Sequence, residues 1–324
     1  MAVPLYPLRF EPVFRRYLWG GRRLGSVLGK PIGEGGDYAE SWEVVDHGPD
    51  QSRVAFGPLV GATLGELVDH HGQALLGRHH PRPQFPLLVK LLDAQHKLSV
   101  QVHPNDEQAA LLDPPDLGKT EAWVVLAAEP ESRIYAGLKR GFDRPALERE
   151  LKRGTCELCL HQFEPAVGDC IFLPAGTVHA LGSGLLIAEV QQSSDTTYRL
   201  FDWNRVGPDG RPRALHLDEA LDVIDFARGP VDPLQPHPMD GGVTRLVACD
   251  KFVLDRLVVS AGRSIGEADR CHIVLVLEGE IRVSGDPSDA ALKSGETILL
   301  PAAVGPVEVL PISPRTELLD VYLP

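Results

Sequence analysis

A chain of 324 residues, 43% apolar and 24% charged, has the composition of a soluble globular protein with room for one large domain or two ordinary ones. Its formal charge of −13 sets most of the surface against nucleic acid and anionic membrane, and a small anionic substrate would need a local cluster of Lys and Arg. Five irregularly spaced cysteines, no window near the ~18 apolar residues of a membrane span, and an opening (MAVPLYPLRFEPVF) without a secretory pattern lead us to expect a cytoplasmic protein.

Residues 63–76 (TLGELVDHHGQALL) predict a helix, with Thr63 as cap and apolar residues at helical spacing. LLVKLLDA (87–94), LSVQVH (98–103) and AWVVLAA (122–128) read as strands, rich in Val, Ile and Leu and closed by polar or turn residues. A second helix is expected over 144–153, with Pro near its start and basic residues at its end. CIFLP (170–174) and LLIAEVQ (185–191) are further strands, and 216–227 (HLDEALDVIDFA) predicts a third helix with acidic residues in its first turn. The segment 229–242, dense in Pro and Gly, marks a boundary. Beyond it FVLDRLVV, HIVLVLEG, IRVSG and TILLPA return to the strand pattern. Gly168 precedes Pro174 by six residues, as Gly295 precedes Pro301, each gap holding an apolar strand. The expectation is a mainly β protein of two related β-barrel (jelly-roll) units, residues 1–232 and 239–324, with a few helices inserted in and after the first barrel.

In LSVQVHPND the residues Ser99, Gln101 and His103 share one face of a strand, because side chains alternate. Polar groups on the inner face of a barrel are unfavourable by roughly 1–3 kcal/mol each unless they bind something. Glu121 opens the next strand after GKT, and Pro174 and Gly176 form a turn that can aim His179 into the barrel mouth. Two imidazoles, a carboxylate and an amide make a nitrogen/oxygen set that suits zinc and also accommodates manganese, iron or cobalt.

Gly168, Pro174, Gly176 and His179 fit the second metal-binding motif of the cupin superfamily at each fixed position. The first cupin motif usually carries His-x-His and a nearby Glu. Here Gln101-x-His103 stands in its place, and Glu121 follows only after an insertion. With Trp19-Gly20-Gly21, Glu40-Ser41-Trp42-Glu43, KLLDAQHKLSVQVHPND (90–106), GKTEAWVVL (118–126), PAGTVHAL (174–181) and EVQQSSDTTYRLFDWNR (189–205), the chain resembles the type I mannose-6-phosphate isomerases, in particular their short bacterial form. That resemblance implies a double cupin and the interconversion of mannose 6-phosphate and fructose 6-phosphate, an aldose–ketose isomerisation through an enediol. It implies one Zn2+ per chain bound by His103, Glu121 and His179, with Gln101 as fourth ligand. It also implies Arg199 and Lys119 as catalytic residues and a sugar phosphate as the partner. Arg199 suits electrostatic stabilisation or phosphate recognition, since it does not readily lose its proton. Lys119 can either transfer a proton, its pKa lowered by the cation, or hold an anionic oxygen.

The second unit lacks the ligands: after Pro301 no histidine follows, and His272 is expected to stand without partners, so this barrel is read as degenerate and free of metal. GKT is not a phosphate loop, because that motif needs Gly at 113 and the chain has Asp113. Cys156 and Cys159, in a stretch that reads as helix end then strand, are expected to be buried on one face, and His79-His80 to lie in a solvated loop. Asp202 and Arg205 are weak candidates near Arg199, as second-sphere groups or plain ion pairs. Two other functions compete: a different metal-cupin enzyme, a dioxygenase or decarboxylase, for which Gln101 replaces the usual extra His, and a non-catalytic sugar-binding cupin, which would have eroded ligands in both barrels.

Overall fold

The computed structural model describes residues 3–206 and 210–324. In chain order the first unit contains β1 (Val13–Gly21), β2 (Tyr38–Val44), α1 (Leu64–Leu76), β3 (Leu87–Ala94), β4 (Val100–Val102), α2 (Asp106–Ala109) and β5 (Glu121–Ala128). It continues through β6 (Ile134–Leu138), α3 (Arg144–Arg153), β7 (Leu160–Phe163), β8 (Cys170–Leu173), β9 (His179–Leu181), β10 (Leu185–Gln192), β11 (Tyr198–Phe201) and α4 (Leu217–Val223). The strands form two antiparallel sheets, ordered β8-β5-β10-β3-β2-β1 and β7-β6-β9-β4-β11.

The expected helices are explained by their ends. Thr63 Oγ1 accepts from the Glu66 N–H while the Glu66 carboxylate accepts from the Thr63 N–H, a reciprocal cap that starts α1. Asp143 caps α3 by accepting from the Ala146 N–H, and Gly154, at φ +71°, ends it. The third helix is shorter than its pattern, stopping at Val223. Ile224 turns extended and is buried, and the Asp225 N–H leaves the helix to donate to the Gly176 carbonyl. A 3-10 turn, Cys156–Cys159, also intervenes between α3 and β7 where helix and strand alone were expected; both thiols are buried in one cluster nonetheless.

Alternation decides what each strand places inside. In β5, Trp123 and Val125 enter the cluster between the two sheets, while Ala122 and Val124 face the other way. β9 sends Leu181 inward and Ala180 outward, and β10 sends Leu185 and Ile187 inward and Ala188 and Val190 outward. By that parity Glu121, His179, Glu189 and Lys90 all point into the barrel. The outer face of the second sheet is covered by α3, α4 and the two cysteines.

The second unit holds β12 (Val243–Ala248), β13 (Val253–Val258), β14 (Arg263–Ile265), β15 (His272–Glu278), β16 (Glu280–Val283), β17 (Thr297–Leu300), β18 (Val307–Pro311) and β19 (Glu317–Tyr322). β12-β13-β19-β15-β17 and β14-β18-β16 form its two sheets, each extended at one edge by a two-residue strand. Its six-stranded sheet packs Leu254, Ile273, Leu275, Leu319 and Val321 against Val89, Leu91, Val124 and Val190 of the first unit. Leu8, at the head of the chain, exchanges two backbone hydrogen bonds of 2.8 Å with Leu299. The first barrel is therefore braced from behind by a continuous apolar layer.

His272 belongs to no metal-type grouping of three among the described residues, yet its side chain is paired. Its Nδ1 lies 2.8 Å from Asp320 Oδ1, and its ring centroid is 4.6 Å from that of Tyr322, itself bonded to Asp255 and Arg245. This is a paired polar cluster. Among the described residues the metal-type grouping of three His, Cys, Asp or Glu side chains is His103, Glu121 and His179, in the first barrel. Among the described residues no helix is long and apolar enough to cross a membrane.

Candidate metal centre and substrate pocket

Three neighbouring strands lay the site out. In register, His179 of β9 pairs with Gln101 of β4, and Gln101 pairs with Arg199 of β11. On the facing sheet Glu121 of β5 lies opposite Gln191 of β10, Glu189 lies opposite Lys90 of β3, and Leu92 lies opposite Glu40 of β2. The Pro174–Thr177 turn delivers His179. Gly176 adopts φ +83°, and its N–H donates to the His103 carbonyl at 2.9 Å, so the turn that leads into His179 also pins the backbone of His103.

One ligand atom from each of His103, Glu121 and His179 lies within 4.8 Å of the others, and all three side chains are buried. His103 Nε2 is 3.5 Å from Glu121 Oε2, and His179 Nε2 is 3.2 Å from Glu121 Oε1. The other ring nitrogens are committed: His103 Nδ1 donates to the Thr196 carbonyl and His179 Nδ1 to the Thr177 carbonyl, each at 2.9 Å. That fixes the tautomer and leaves both Nε2 lone pairs turned inward. Glu121 Oε1 is buried and accepts no hydrogen bond. An orphaned carboxylate oxygen facing two inward lone pairs fits a cation with nitrogen/oxygen preference. The Gln101 side-chain amide lies 3.2 Å from His179 Nε2, and a half-turn of its terminal group presents its carbonyl oxygen to the same point.

The electrostatics agree. Burial, reinforced by Lys119, pushes His103 well below the usual imidazole range, and burial brings His179 down to about 4, so both remain neutral and able to ligate. Burial raises Glu121, against the pull of the Lys119 ammonium. Lys119 sits in direct contact with the Glu121 carboxylate, 3.1 Å from His103 Nε2 and 3.7 Å from Glu189. Burial works against its charge, yet Glu121 and Glu189 outweigh burial and hold its pKa above the ordinary ammonium range. A divalent cation on Glu121 would act in the opposite sense on this lysine.

Gln101 and Lys119, which touch the centre, line a cavity of about 330 Å³ whose walls also include Tyr17, Trp19, Lys90, Glu189, Arg199 and Arg213. Arg199, half-buried, donates from Nη1 to the Ala214 carbonyl at 2.9 Å and from Nε to Ser99 Oγ at 3.3 Å. The structure thus brings His103, Glu121, His179, Gln101 and Lys119 together and places Arg199 farther up the wall. Asp202 and Arg205 are an ion pair, with Asp202 shared by Arg213. His79 lies apart, its Nε2 against the Pro324 carbonyl, and burial raises Cys159 to about 11 and Cys156 further, which keeps both thiols protonated.

Sequence reasoning missed Glu40, Lys90, Glu189 and Arg213. Lys90 is buried, lies 3.9 Å from each of Glu40, Glu189 and Asp195, and sits 4.5 Å from the centre of the Trp42 ring. Glu189 also accepts from Trp123 Nε1 at 2.9 Å. A usable signal existed for two of them. Glu189 is the single charge of its eight-residue strand and Lys90 one of two, with Asp93, in its own; both strands are buried throughout, and a charge there needs a partner or a ligand.

Comparison with known proteins gives a consistent family. Residues 8–127 match the family model "Phosphomannose isomerase type I, catalytic domain", and residues 242–311 match "Mannose-6-phosphate isomerase, cupin domain". Mannose-6-phosphate isomerase ManA of Bacillus subtilis (strain 168) is 36% identical over 301 residues, 92% of this chain and 94% of that protein. A mannose-6-phosphate isomerase of Streptococcus mutans is 33% identical over 309 residues, 94% of each. The crystal structure of the mannose 6-phosphate isomerase from Bacillus subtilis superposes with a TM-score of 0.89 at 28% identity, covering 98% of this chain and 100% of that one.

Proposed function

The chain belongs to the type I phosphomannose isomerase family, and from that premise we propose that it interconverts mannose 6-phosphate and fructose 6-phosphate in the first barrel, with Zn2+ held by His103, Glu121, His179 and Gln101. The observation that carries the reading is the meeting of two inward-facing imidazole lone pairs and the unsatisfied Glu121 oxygen behind Gln101 and Lys119, which line a polar cavity. The donor set suits zinc, and its hard carboxylate and amide oxygens also suit manganese or cobalt.

Aldose–ketose isomerisation moves a proton between adjacent carbons, so the pocket must orient the sugar, carry that proton and stabilise negative charge on oxygen. When bound, the divalent cation supplies Lewis acidity toward substrate oxygens. Lys119 is assigned to the proton: its ammonium lies between Glu121 and Glu189, so a second carboxylate stands by to exchange with it. Arg199 is assigned to the anionic end of the substrate, being cationic and free of carboxylate partners among the described residues. Trp19 and Trp123 close apolar sides of the cavity and limit water around the sugar.

Purified protein assayed with mannose 6-phosphate before chelation, after chelation and after reloading with Zn2+ tests the reading, with bound metal measured in parallel. Turnover that falls on chelation and returns on reloading is expected. A zinc-loaded protein that leaves mannose 6-phosphate untouched sinks the isomerase reading and favours a different metal-cupin enzyme. A chain that binds no metal under these conditions points to the sugar-binding alternative.

A further inference from the structure

Between His103 and Glu121 the chain makes an excursion, residues 104–120, that the metal ligands alone do not account for. Asp116, near its end, has 13% of its side chain exposed and is not among the residues lining the substrate cavity. Its carboxylate accepts four hydrogen bonds. Oδ2 takes the Ser194 hydroxyl at 2.8 Å and the Thr196 hydroxyl at 2.7 Å, while Oδ1 takes the Leu117 N–H at 2.8 Å and His47 Nε2 at 3.2 Å. Four donors fill the lone-pair directions of a carboxylate, so the group is held in one place and one orientation.

Ser194 and Thr196 flank Asp195, and the three residues form a strap between β10 and β11. The outer two reach Asp116, and the middle one lines the substrate cavity, where its carboxylate lies 3.9 Å from Lys90. The Thr196 carbonyl has a second partner: it accepts from His103 Nδ1 at 2.9 Å, the bond that turns the His103 Nε2 lone pair toward the metal site. The start of the strap is held separately, because the buried Gln191 amide donates to the Gln192 and Ser194 carbonyls at 2.8 and 2.6 Å. Its far end depends on Asp116. The Thr196 hydroxyl bonds that carboxylate, and the Thr196 N–H donates at 3.3 Å to Ser194 Oγ, which the same carboxylate fixes.

We propose, resting on the metal-centre and isomerase reading above, that Asp116, braced by His47, is a positioning residue for catalysis: through the Ser194 and Thr196 hydroxyls it sets the Thr196 carbonyl behind His103 and the Asp195 carboxylate on the cavity wall. One group outside the cavity thereby fixes a metal ligand and a substrate-facing charge together. The segment that delivers Glu121 to the cation also sets the backbone partner of His103. Loss of Asp116 disturbs the hold on the cation and the chemistry beside it, and leaves the wall at Arg199, where the anionic end of the substrate is assigned.

The test compares wild-type protein with Asp116→Asn, Thr196→Val, Thr196→Ser and, as a control for lost stability, Asp320→Asn in the second barrel. Asn offers one acceptor oxygen where Asp offers two, and Val removes the Thr196 hydroxyl while keeping its shape and its backbone carbonyl. Zinc affinity is read by chelator competition, and Co2+ loaded in place of zinc reports ligand geometry through its visible absorption bands. Asp116→Asn is expected to weaken zinc by about 10–100-fold and to shift the Co2+ bands. In the zinc-saturated protein it should lower kcat for mannose 6-phosphate by about 10-fold and change KM by less than about threefold. Thr196→Val should move zinc affinity and the Co2+ bands in the same direction, and Thr196→Ser should keep zinc affinity within about threefold of wild type. Asp320→Asn should leave both readouts unchanged. Wild-type zinc affinity and Co2+ bands in Thr196→Val overturn the proposal, even where Asp116→Asn does not fold. So does an equal loss of zinc in Thr196→Ser, which would assign the effect to shape, or in Asp320→Asn, which would assign it to general destabilisation. Wild-type protein that binds zinc without turning over mannose 6-phosphate defeats the isomerase reading instead, and the zinc and Co2+ readouts still decide the role of Asp116.

Discussion

Gly176→Ala is the sharpest test of how the fold holds the metal ligands. Gly176 sits at φ +83°, and a Cβ there would meet the Val223 carbonyl oxygen at 3.0 Å and the Asp225 backbone nitrogen at 3.2 Å. Alanine in the left-handed region costs about 1–2 kcal/mol, and two backbone contacts tighter than ordinary van der Waals spacing add to it. The neighbours are backbone at the end of α4, which cannot swing away as a side chain would. A loss of about 2–3 kcal/mol in denaturant unfolding is expected. The strain also falls on the site. The Gly176 N–H holds the His103 carbonyl, and the adjacent Thr177 carbonyl orients the His179 ring. Moving the turn should weaken zinc by about 10–100-fold in a chelator competition, the scale seen when a group behind a metal ligand is lost. An unchanged unfolding midpoint would refute the strain argument. A lower midpoint with unchanged zinc affinity would leave the strain and refute the link to the ligands.

Other outcomes follow from the same geometry. His179→Ala should abolish tight zinc binding while leaving the barrel folded, measured by metal content and circular dichroism; retained stoichiometric zinc would remove His179 from the ligand set. Lys119→Met should lose hydrogen exchange between solvent and the sugar carbon that yields its proton, by at least about 100-fold, with zinc still bound; exchange at the wild-type rate reassigns the proton. Asp116 ties the 193–197 loop to the β2–α1 connection by accepting from His47, Ser194 and Thr196. Burial would raise its pKa, but those hydrogen bonds outweigh burial and bring it from 3.8 down to about 2, and the bond to Asp116 raises His47 above 6.5. The stability advantage over Asp116→Asn should therefore be full between 3.8 and 6.5, shrink as pH falls toward about 2, and shrink again as pH rises through the raised His47 value. Urea midpoints of both proteins from pH 2 to 9 check this; a pH-independent difference would refute it. Asp320→Asn in the second barrel should lower stability by about 1–3 kcal/mol by weakening the buried bond to His272, with kcat unchanged. A large drop in kcat would give that barrel a part in the chemistry.

Much of this protein is written in local pattern. The capped starts at Thr63 and Asp143, the spacing from Gly168 to His179, and the alternation that sends Gln101 inward between Val100 and Val102 each depend on residues within a turn or a strand of one another. Such features follow from backbone geometry, and they were enough to point to the grouping of His103, Glu121 and His179 and to a double β-barrel. They also set limits. Local pattern carried the third helix on to residue 227, whereas packing of Ile224 and the pull of the Gly176 carbonyl end it at Val223. Nor did it reveal that the strand register places Tyr322 beside His272 and Asp320 within hydrogen-bonding reach.

What only the tertiary structure decided is which distant charges share a space. Lys90 meets Glu189 through the register of β3 with β10, and Arg213 meets Asp202 close to where the His216 N–H donates to the Arg199 carbonyl of β11. A strand's own sequence says which face a side chain takes. Its partner, and the sign of the field it meets there, depend on closing the sheets into a barrel, which brings residues some hundred positions apart within a few ångströms.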